Sequence, residues 1–389
     1  MNQTQMRTAA LLLLTFMTGC RVPEGTVSSP DLVLSLPKGN KLAPTAAARL
    51  EDGSRIDVLF TYTTSALKST GGLAGFEAKA YANEAFINIA LRESLPSVRP
   101  APRVNVVGIA EIPDGTPLDT GPQAQDTVIR ALRAQFLADL VVVVHHRYTT
   151  GAGIATVFCD NPEEHSENGY VTQIQSGSMM FYMAPAHEIG HLLGAGHDYA
   201  HRGAVCLYED SRGWSFKAVD GTGKTVLYGT LMDYQGDVRI PRFSNPDVNY
   251  LGVPTGKRGS ADNARAVNDA RAFIANYVPT LMPVAPTPGG PALTVEMPAN
   301  DSRMRAGEWL TITTRIVDSD GVREAQLLWD TGDALDCSGP GTAEWSCKRD
   351  QDRYSWRIKV NAGERAFRVR AVDSRGNRAV TEQVTVFAQ

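Results

Sequence analysis

Up to about residue 280, apolar residues recur with two different periods, which predicts strands alternating with helices. Strands are predicted from Ile56 and over 104–112 and 140–145, where apolar residues alternate or cluster. Amphipathic helices are predicted over about 73–94 and 124–137, because apolar positions there return every 3.6 residues. The order strand, helix, strand, helix, strand indicates an α/β domain.

The pattern changes from residue 292 to the end of the chain at residue 389. Short alternating runs are separated there by turn sequences such as Asp318-Ser-Asp-Gly and Asp373-Ser-Arg-Gly. The runs lie at 310–317, 326–329, 354–360, 366–372 and 383–387. This pattern predicts an all-β sandwich, immunoglobulin-like or fibronectin-like, over 292–389. Pro and Gly dominate 281–291, which is predicted to be a semi-rigid linker. Spacer, substrate binder and adhesin all remain open as functions of the sandwich.

The first twenty residues have the pattern of an export signal. Arg7 precedes an apolar run over 8–17 that is too short to span a bilayer. The following Thr-Gly-Cys resembles a bacterial lipobox, in which Cys20 is acylated and becomes the mature N-terminus. An ordinary cleaved signal peptide is the alternative. Proline-rich, polar residues over 21–50 predict an extended tether. We therefore expect an exported bacterial lipoprotein at the outer membrane or cell surface.

Composition narrows the class of partner. The chain has 389 residues, which favours two folded domains, and its net charge is only −4. No basic field indicates nucleic acid, and no polybasic stretch indicates anionic lipid, so membrane contact is expected through the lipid anchor alone. We expect a monomer that acts on a protein or peptide.

The cysteine count is consistent with export. Five cysteines are present, and setting Cys20 aside leaves four that allow three pairings. Because each predicted domain contains two of them, locality favours Cys159 with Cys206 and Cys337 with Cys347. An oxidising compartment makes both disulfides reasonable.

Residues 187–198 read His-Glu-Ile-Gly-His-Leu-Leu-Gly-Ala-Gly-His-Asp and have the spacing of a hydrolytic zinc site. His187 and His191 are four residues apart, so on a helix their rings lie on one face and can bind one ion. Glu188 then stands beside the metal, where a general base can take a proton from zinc-bound water. Gly194 permits a sharp turn that brings in His197. Three protein ligands leave a fourth position open, which is typical of a catalytic zinc site.

This motif, followed by a Met-turn, resembles the signature of the metzincin zinc peptidases. Met232, in Thr-Leu-Met-Asp-Tyr, resembles the Met-turn methionine beneath the zinc. Asp198 resembles the reprolysin (adamalysin) branch, in which this carboxylate supports the active-site turn. Tyr234 departs from that branch and resembles the tyrosine of astacins and serralysins, which binds zinc or stabilises the tetrahedral intermediate. Packing of Tyr234 under the turn is the alternative.

The resemblance implies a metzincin catalytic domain over 51–280, with a mixed twisted sheet and an active-site helix at 184–193. Residues 152–158 are the expected edge strand that pairs with an extended substrate. A helix over 260–277 that begins with Ser260 as its N-cap looks like the helix that closes this domain.

The segment 239–246 resembles the run after the Met-turn in bacterial reprolysin-like enzymes, including peptidyl-Asp metallopeptidases. In metzincins this run walls the pocket for the residue after the scissile bond. Arg239 or Arg242 facing inward would favour an acidic side chain there through a bidentate pair. A solvated surface position is the alternative for both arginines.

Together these features predict a zinc-dependent endopeptidase that hydrolyses extracellular proteins or peptides, with Glu188 as the general base. The alternative from another class is a catalytically silent adhesion or binding lipoprotein built on the same fold. The intact His187, Glu188, His191 and His197 favour the enzyme. A metalloamidase acting on a non-peptide amide is a third reading, which the metzincin context disfavours.

Overall fold

The computed structural model describes residues 52–114, 116, 126–146, 152–159, 170–178, 184–201, 203, 205, 207–278, 290–331 and 333–389. They fall within one compact unit, Ala46–Gln389. The predicted signal segment with Cys20, the tether at 21–50 and the linker up to residue 289 lie outside the described residues. Within the described part of the chain, no helix combines the length and the apolar character needed to cross a membrane.

A five-stranded mixed sheet forms the centre of the N-terminal domain, and the three strands predicted from the residue patterns belong to it. Its strands are β1 (Arg55–Thr63), β2 (Arg103–Ile112), β3 (Leu140–His145), β4 (Gly153–Ala155) and β5 (Val171–Gln175). The spatial order is β2-β1-β3-β5-β4; the first four strands are parallel and β4 pairs antiparallel with β5 at the edge. Every residue of β3 is buried, which explains its unbroken apolar sequence. The edge strand β4 is shorter than the one expected at 152–158, because only three of those residues pair with β5.

Within the described residues, three α-helices precede the motif at 187–198 along the chain. They are α1 (Thr64–Ser69), α2 (Gly72–Ser94) and α3 (Thr127–Phe136). Helix α2 also covers the outer edge of the sheet, where β2 pairs on one side with no other strand of the described residues. The Asn88 side chain pairs with both backbone groups of Val104, at 2.7 and 3.0 Å, and Glu84 accepts from the Val106 N–H at 2.9 Å. These side chains satisfy an edge that would otherwise be open to another strand.

The rest of the N-terminal domain carries the motif helix, short strands and a closing helix. These are α4 (Ala184–Leu192), β6 (Ser215–Val219), β7 (Thr225–Gly229), β8 (Val238–Arg239), β9 (Asn249–Tyr250), β10 (Val253–Pro254) and α5 (Asn263–Ile274). The prediction that Ser260 caps the last helix is wrong. Ser260 lies in a turn in which the Ala261 N–H donates to the Lys257 carbonyl. Asp262 is the N-cap instead, and its carboxylate accepts from the Arg265 N–H.

The C-terminal region forms two β-sheets around one core. Its strands are β11 (Ala292–Met297), β12 (Ser302–Met304), β13 (Trp309–Val317), β14 (Val322–Trp329), β15 (Ala334–Asp336), β16 (Trp345–Asp350), β17 (Arg353–Lys359), β18 (Gly363–Asp373), β19 (Arg378–Val380) and β20 (Val384–Ala388). One sheet has the order β11-β13-β17-β16, and the other has β12-β20-β18-β14-β15 with β19 beside β18. Ile312 and Trp356 from the first sheet and Leu327 and Val369 from the second share the core. The predicted all-β character of this region is therefore present.

One of the two predicted disulfides is present among the described residues. Cys337 and Cys347 are bonded within the sandwich, with their Cα atoms 5.1 Å apart. Cys159 is also disulfide-bonded. Its predicted partner Cys206 lies outside the described residues, so that pairing stays a prediction.

Candidate metal centre

Helix α4 positions the first two histidines of the motif. Pro185 lies in its first turn, where the missing N–H costs no helical hydrogen bond. His187 and His191 follow one helical turn apart, and both are buried, at 3% and 7% exposure. Their ring centroids are 5.0 Å apart. The helix therefore presents two imidazoles to one point.

A left-handed turn after α4 supplies the third histidine. Gly194 has φ +86°, a conformation that a side chain disfavours, and its N–H donates to the His191 carbonyl. The Ala195 N–H donates to the Gly190 carbonyl at 2.9 Å, which closes the helix end. Beyond this turn, His197 lies with its Nε2 3.0 Å from that of His187 and 2.8 Å from that of His191. The structure thus brings together the three predicted metal ligands.

The tautomers of these histidines favour a cation between them. Nδ1 of His187 lies 2.9 Å from the Leu231 carbonyl, and Nδ1 of His191 lies 2.7 Å from the Ala195 carbonyl. A carbonyl oxygen only accepts, so each Nδ1 carries the proton and each Nε2 presents a lone pair. Lone pairs from three rings facing one point repel one another unless a cation lies among them. Backbone carbonyls that orient metal-binding imidazoles in this way are typical of such sites.

Burial keeps the three imidazoles neutral. Burial, followed by the neighbouring His191 and His197, lowers the pKa of His187 well below its usual range. Burial also lowers the pKa of His191 to about 3 and that of His197 to about 4. Neutral imidazole is the form that binds metal, so the site needs no deprotonation near neutral pH.

Glu188 lies beside the cluster in an apolar environment. Burial raises the pKa of its carboxyl to about 8. The carboxylate packs against the edge strand at Gly153, where an added Cβ would lie 2.7 Å from Glu188 Cγ and 2.9 Å from Oε1. The absence of a side chain at Gly153 therefore makes room for Glu188. Sequence reasoning did not single out this glycine, because its neighbour comes from another element.

The predicted Met-turn lies directly beneath α4. Met232 is fully buried, and the Leu231 carbonyl before it holds His187. A Cβ added at Gly190 would lie 2.8 Å from Met232 Sδ and 3.0 Å from Phe243 Cε1. The glycine inside the motif thus lets the methionine pack against the helix backbone.

Asp198 joins the third-histidine segment to the Met-turn. Its carboxylate accepts from the Tyr234 N–H at 2.9 Å and from the Ala200 N–H at 2.8 Å. The Gln235 side chain donates to it as well, at 3.1 Å. Burial alone would raise the pKa of Asp198, but these donors and His201 lower it below its usual value. A second brace, absent from the sequence predictions, is Asn263, whose amide pairs with both backbone groups of Gly196.

The Tyr234 hydroxyl points into the histidine cluster. It lies 3.2 Å from His187 Nε2 and 3.4 Å from His197 Nε2. Burial of the hydroxyl, together with the charge of Glu188, raises the pKa of Tyr234 to about 12, although the residue as a whole is 47% exposed. The phenol therefore stays protonated and can donate a hydrogen bond at the centre.

The two arginines singled out for the substrate pocket have different surroundings. Arg239 donates to the Asp233 carbonyl at 2.6 Å, and its guanidinium lies 5.2 Å from the centroid of the Tyr234 ring. Arg242 is engaged by Glu93 at the end of α2, through both the carboxylate and the backbone carbonyl. An acidic residue of another element therefore balances the charge of Arg242, and its place in the substrate pocket stays a prediction. Arg239 is the arginine beside the cluster.

The sequence of this region matches a known family of peptidases. Residues 103–198 match the reprolysin-like metallo-peptidases of family M12B. A peptidyl-Asp metalloendopeptidase of Stenotrophomonas maltophilia is 36% identical over 99 residues, which are 25% of this chain and 23% of that protein. One of Pseudomonas aeruginosa is 27% identical over 270 residues, covering 60% of this chain and 42% of that protein. The chain therefore spans less than half the length of these curated relatives.

Among solved structures, the matches include fibronectin(III)-like modules from Clostridium thermocellum. The identity there is 23%, over 25% of this chain and 46% of that one, and the TM-score is 0.21.

Proposed function

We propose that this chain, whose residues 103–198 match the reprolysin-like metallo-peptidases of family M12B, is a zinc-dependent endopeptidase. The observation that carries the proposal is the convergence of three neutral imidazole lone pairs beside a buried carboxyl. His187, His191 and His197 supply the three nitrogen ligands that zinc takes in catalytic sites. Catalytic zinc sites also leave a position open for water. The Tyr234 hydroxyl, 3.2 Å from His187 Nε2, and Glu188, the residue after His187, are the further groups that we assign to this site.

Each side chain then has a definable task. Bound Zn²⁺ supplies a Lewis acid, which polarises a carbonyl and lowers the pKa of water. Glu188, ionised once the charge of the bound cation offsets the effect of burial on its pKa, accepts the proton of the attacking water and delivers it to the departing amine, since it is the buried carboxyl next to the ligands. Tyr234 donates its phenolic hydrogen to the oxyanion that develops on the scissile carbonyl. The edge strand β4 pairs with the extended peptide, and Asp198 keeps the loop of the third ligand against the Met-turn.

The substrate preference we propose is an acidic residue after the scissile bond. The matched relatives are called peptidyl-Asp metalloendopeptidases. In this chain, Arg239 is the cation beside the cluster, and a guanidinium recognises a carboxylate in bidentate fashion. Arg239→Gln should lower the ratio of kcat/KM for an Asp peptide to that for its Asn counterpart by about 10-fold or more. An unchanged ratio would exclude this residue as the determinant, without affecting the proposal that the chain is a peptidase.

The activity itself is tested with a mixed peptide library. The zinc-loaded protein is incubated with the library, with and without a chelator, and cleavage sites are read by mass spectrometry. The proposal predicts internal cleavage that the chelator abolishes and that added Zn²⁺ restores. Absence of cleavage by the zinc-loaded protein would favour the silent adhesion or binding lipoprotein.

The setting of the enzyme is part of the same proposal. A lipid on Cys20 would tether an exported enzyme to the outer membrane or cell surface, where Cys159 can pair with Cys206. The two-sheet C-terminal domain is proposed to be immunoglobulin-like or fibronectin-like. Palmitate labelling of cells that express the chain, compared with Cys20→Ala, tests the anchor, and absence of label from both would exclude it.

A further inference from the structure

Helix α2 of the N-terminal domain lies between that domain's sheet and the C-terminal sandwich. Its sandwich-facing side carries Glu77, Tyr81, Glu84 and Arg92, spaced along most of the helix. Strand β18 and its neighbour β19 provide the opposing charged side chains. The two domains therefore meet through charged groups.

The central pair joins Glu84 to Arg368. Arg368 Nε donates to Glu84 Oε2 at 2.7 Å, and a second bond joins Nη2 to Oε1, so the pairing is bidentate. Their side chains are only 1% and 8% exposed. The same guanidinium lies 4.8 Å from the centroid of the Tyr81 ring and donates to the Thr381 carbonyl. A charge so buried is stable only with its partner in place.

Further ion pairs lie on either side of this centre. Glu77 contacts Arg370, with both side chains 5% exposed, and it contacts Arg378 at the rim at 3.1 Å. Burial raises the pKa of Glu77, and the two arginines oppose that shift. At the other end of the helix, Arg92 pairs with Glu364 and its guanidinium lies 5.4 Å from the centroid of the Phe387 ring.

The order of charges fixes the direction in which the domains dock. Along α2 the signs run negative, negative, positive at Glu77, Glu84 and Arg92, which span about 22 Å of helix at 1.5 Å per residue. The sandwich presents the complementary order. A reversed sandwich would place like charges together in a buried interface, which is strongly unfavourable.

We propose that the sandwich is a permanently docked structural partner of helix α2, held in one orientation by these buried ion pairs. It is not a module that swings on the proline-rich linker. The occupant of the α2 surface is thus the β18 face of the same chain, and that face is closed to any outside ligand. Docking at α2 does not depend on the proposed peptidase activity.

Cutting the linker tests permanent docking directly. A recognition sequence for a site-specific protease is inserted after Gly289, and the folded full-length protein is then cleaved there. We expect the two fragments to co-elute in size-exclusion chromatography at about 1 µM and to melt in a single transition. Fragments that separate, or that melt independently at the temperatures of two isolated domains, would overturn the proposal.

Charge variants show whether the ion pairs hold the complex. Arg368→Glu or Arg370→Glu should weaken association of the cut fragments by about 100-fold or more, because each leaves like charges buried together. Arg305→Glu, at an exposed position of the same domain, is the matched control and should change nothing. If the buried variants do not fold, the rim variant Arg378→Glu should still weaken association measurably. Equal association of all folded variants would refute the ion pairs as the cause.

Discussion

Replacing Gly153 by alanine should disable the proposed general base without removing the metal. The added Cβ would lie 2.7 Å from Glu188 Cγ, 2.9 Å from Glu188 Oε1 and 2.8 Å from Ile174 Cδ1. Ile174 is fully buried in the core, whereas two of the three close contacts involve Glu188, so we expect the Glu188 side chain to move. Relief to an ordinary contact near 3.6 Å requires a displacement of about 1 Å.

A displacement of that size is costly for catalysis. Misplacing a catalytic group by about 1 Å can reduce the rate by about 100-fold, or about 2.7 kcal/mol in the activation barrier. The histidines make no contact with the new methyl among the atoms nearest to it. We therefore expect a fall of about 100-fold in kcat/KM, with one metal ion still bound for each chain.

The assay compares kcat/KM on a cleaved peptide with metal content measured by atomic emission. Gly177→Ala is the matched control, since a Cβ at that position meets no atom within 4 Å. It should retain full activity. Full activity of Gly153→Ala would refute the argument that space at this position sets the place of Glu188, and loss of metal would show that the methyl acts through the ligands instead.

Three further predictions concern the groups around the centre and one buried acid. Tyr234→Phe should retain the metal and lower kcat by about 100-fold, with little change in KM, as expected when an oxyanion donor is lost. A rise in KM with kcat unchanged would contradict that assignment. Asp198→Ala removes the acceptor for the Tyr234 and Ala200 N–H groups and should weaken metal affinity by about 10-fold to 100-fold in a chelator competition; unchanged affinity would exclude a supporting role. Burial raises the pKa of Asp139 to about 8 and outweighs the N–H groups of Asp57 and Val278 that donate to it. Above pH 4 the folded state thus keeps this proton, whereas the unfolded state has released it, so the free energy of unfolding should fall as pH rises from about 4 to 8. In Asp139→Asn the melting temperature should depend less on pH over that range. An equally steep fall in the variant would assign the effect to another group.

Elements specified by local patterns were predictable from the sequence. The period-two and period-3.6 patterns predicted β1 to β3, α2 and most sandwich strands. Each of these segments buries one face, and the spacing of its apolar residues shows which period that face has. The turn at Gly194 was predictable for the same reason: only a residue that tolerates positive φ can reverse the chain there. Ser260 shows the limit of such predictions, because it lies in a local turn and Asp262 caps the helix that begins at Asn263.

Features that join distant segments were not predictable. Arg242 meets Glu93 across 149 residues, and Arg368 meets Glu84 across 284 residues. Nothing in either local sequence identifies the partner, because the fold alone brings the two together. Gly153 belongs to the same class, since its importance comes from a carboxylate on another element. A sequence motif can thus identify the side chains that carry out the chemistry. The distances between them, and the partners that balance their charges, depend on the tertiary structure.

The most direct test of the proposed chemistry is Glu188→Gln, measured in parallel for zinc content and for peptide hydrolysis. The amide keeps the size of the side chain but cannot accept the proton at this position. We predict one Zn²⁺ per chain, as in the unmodified protein, together with loss of hydrolysis by at least about 100-fold. Full hydrolytic activity in the zinc-loaded variant would contradict the assignment of Glu188 as the general base.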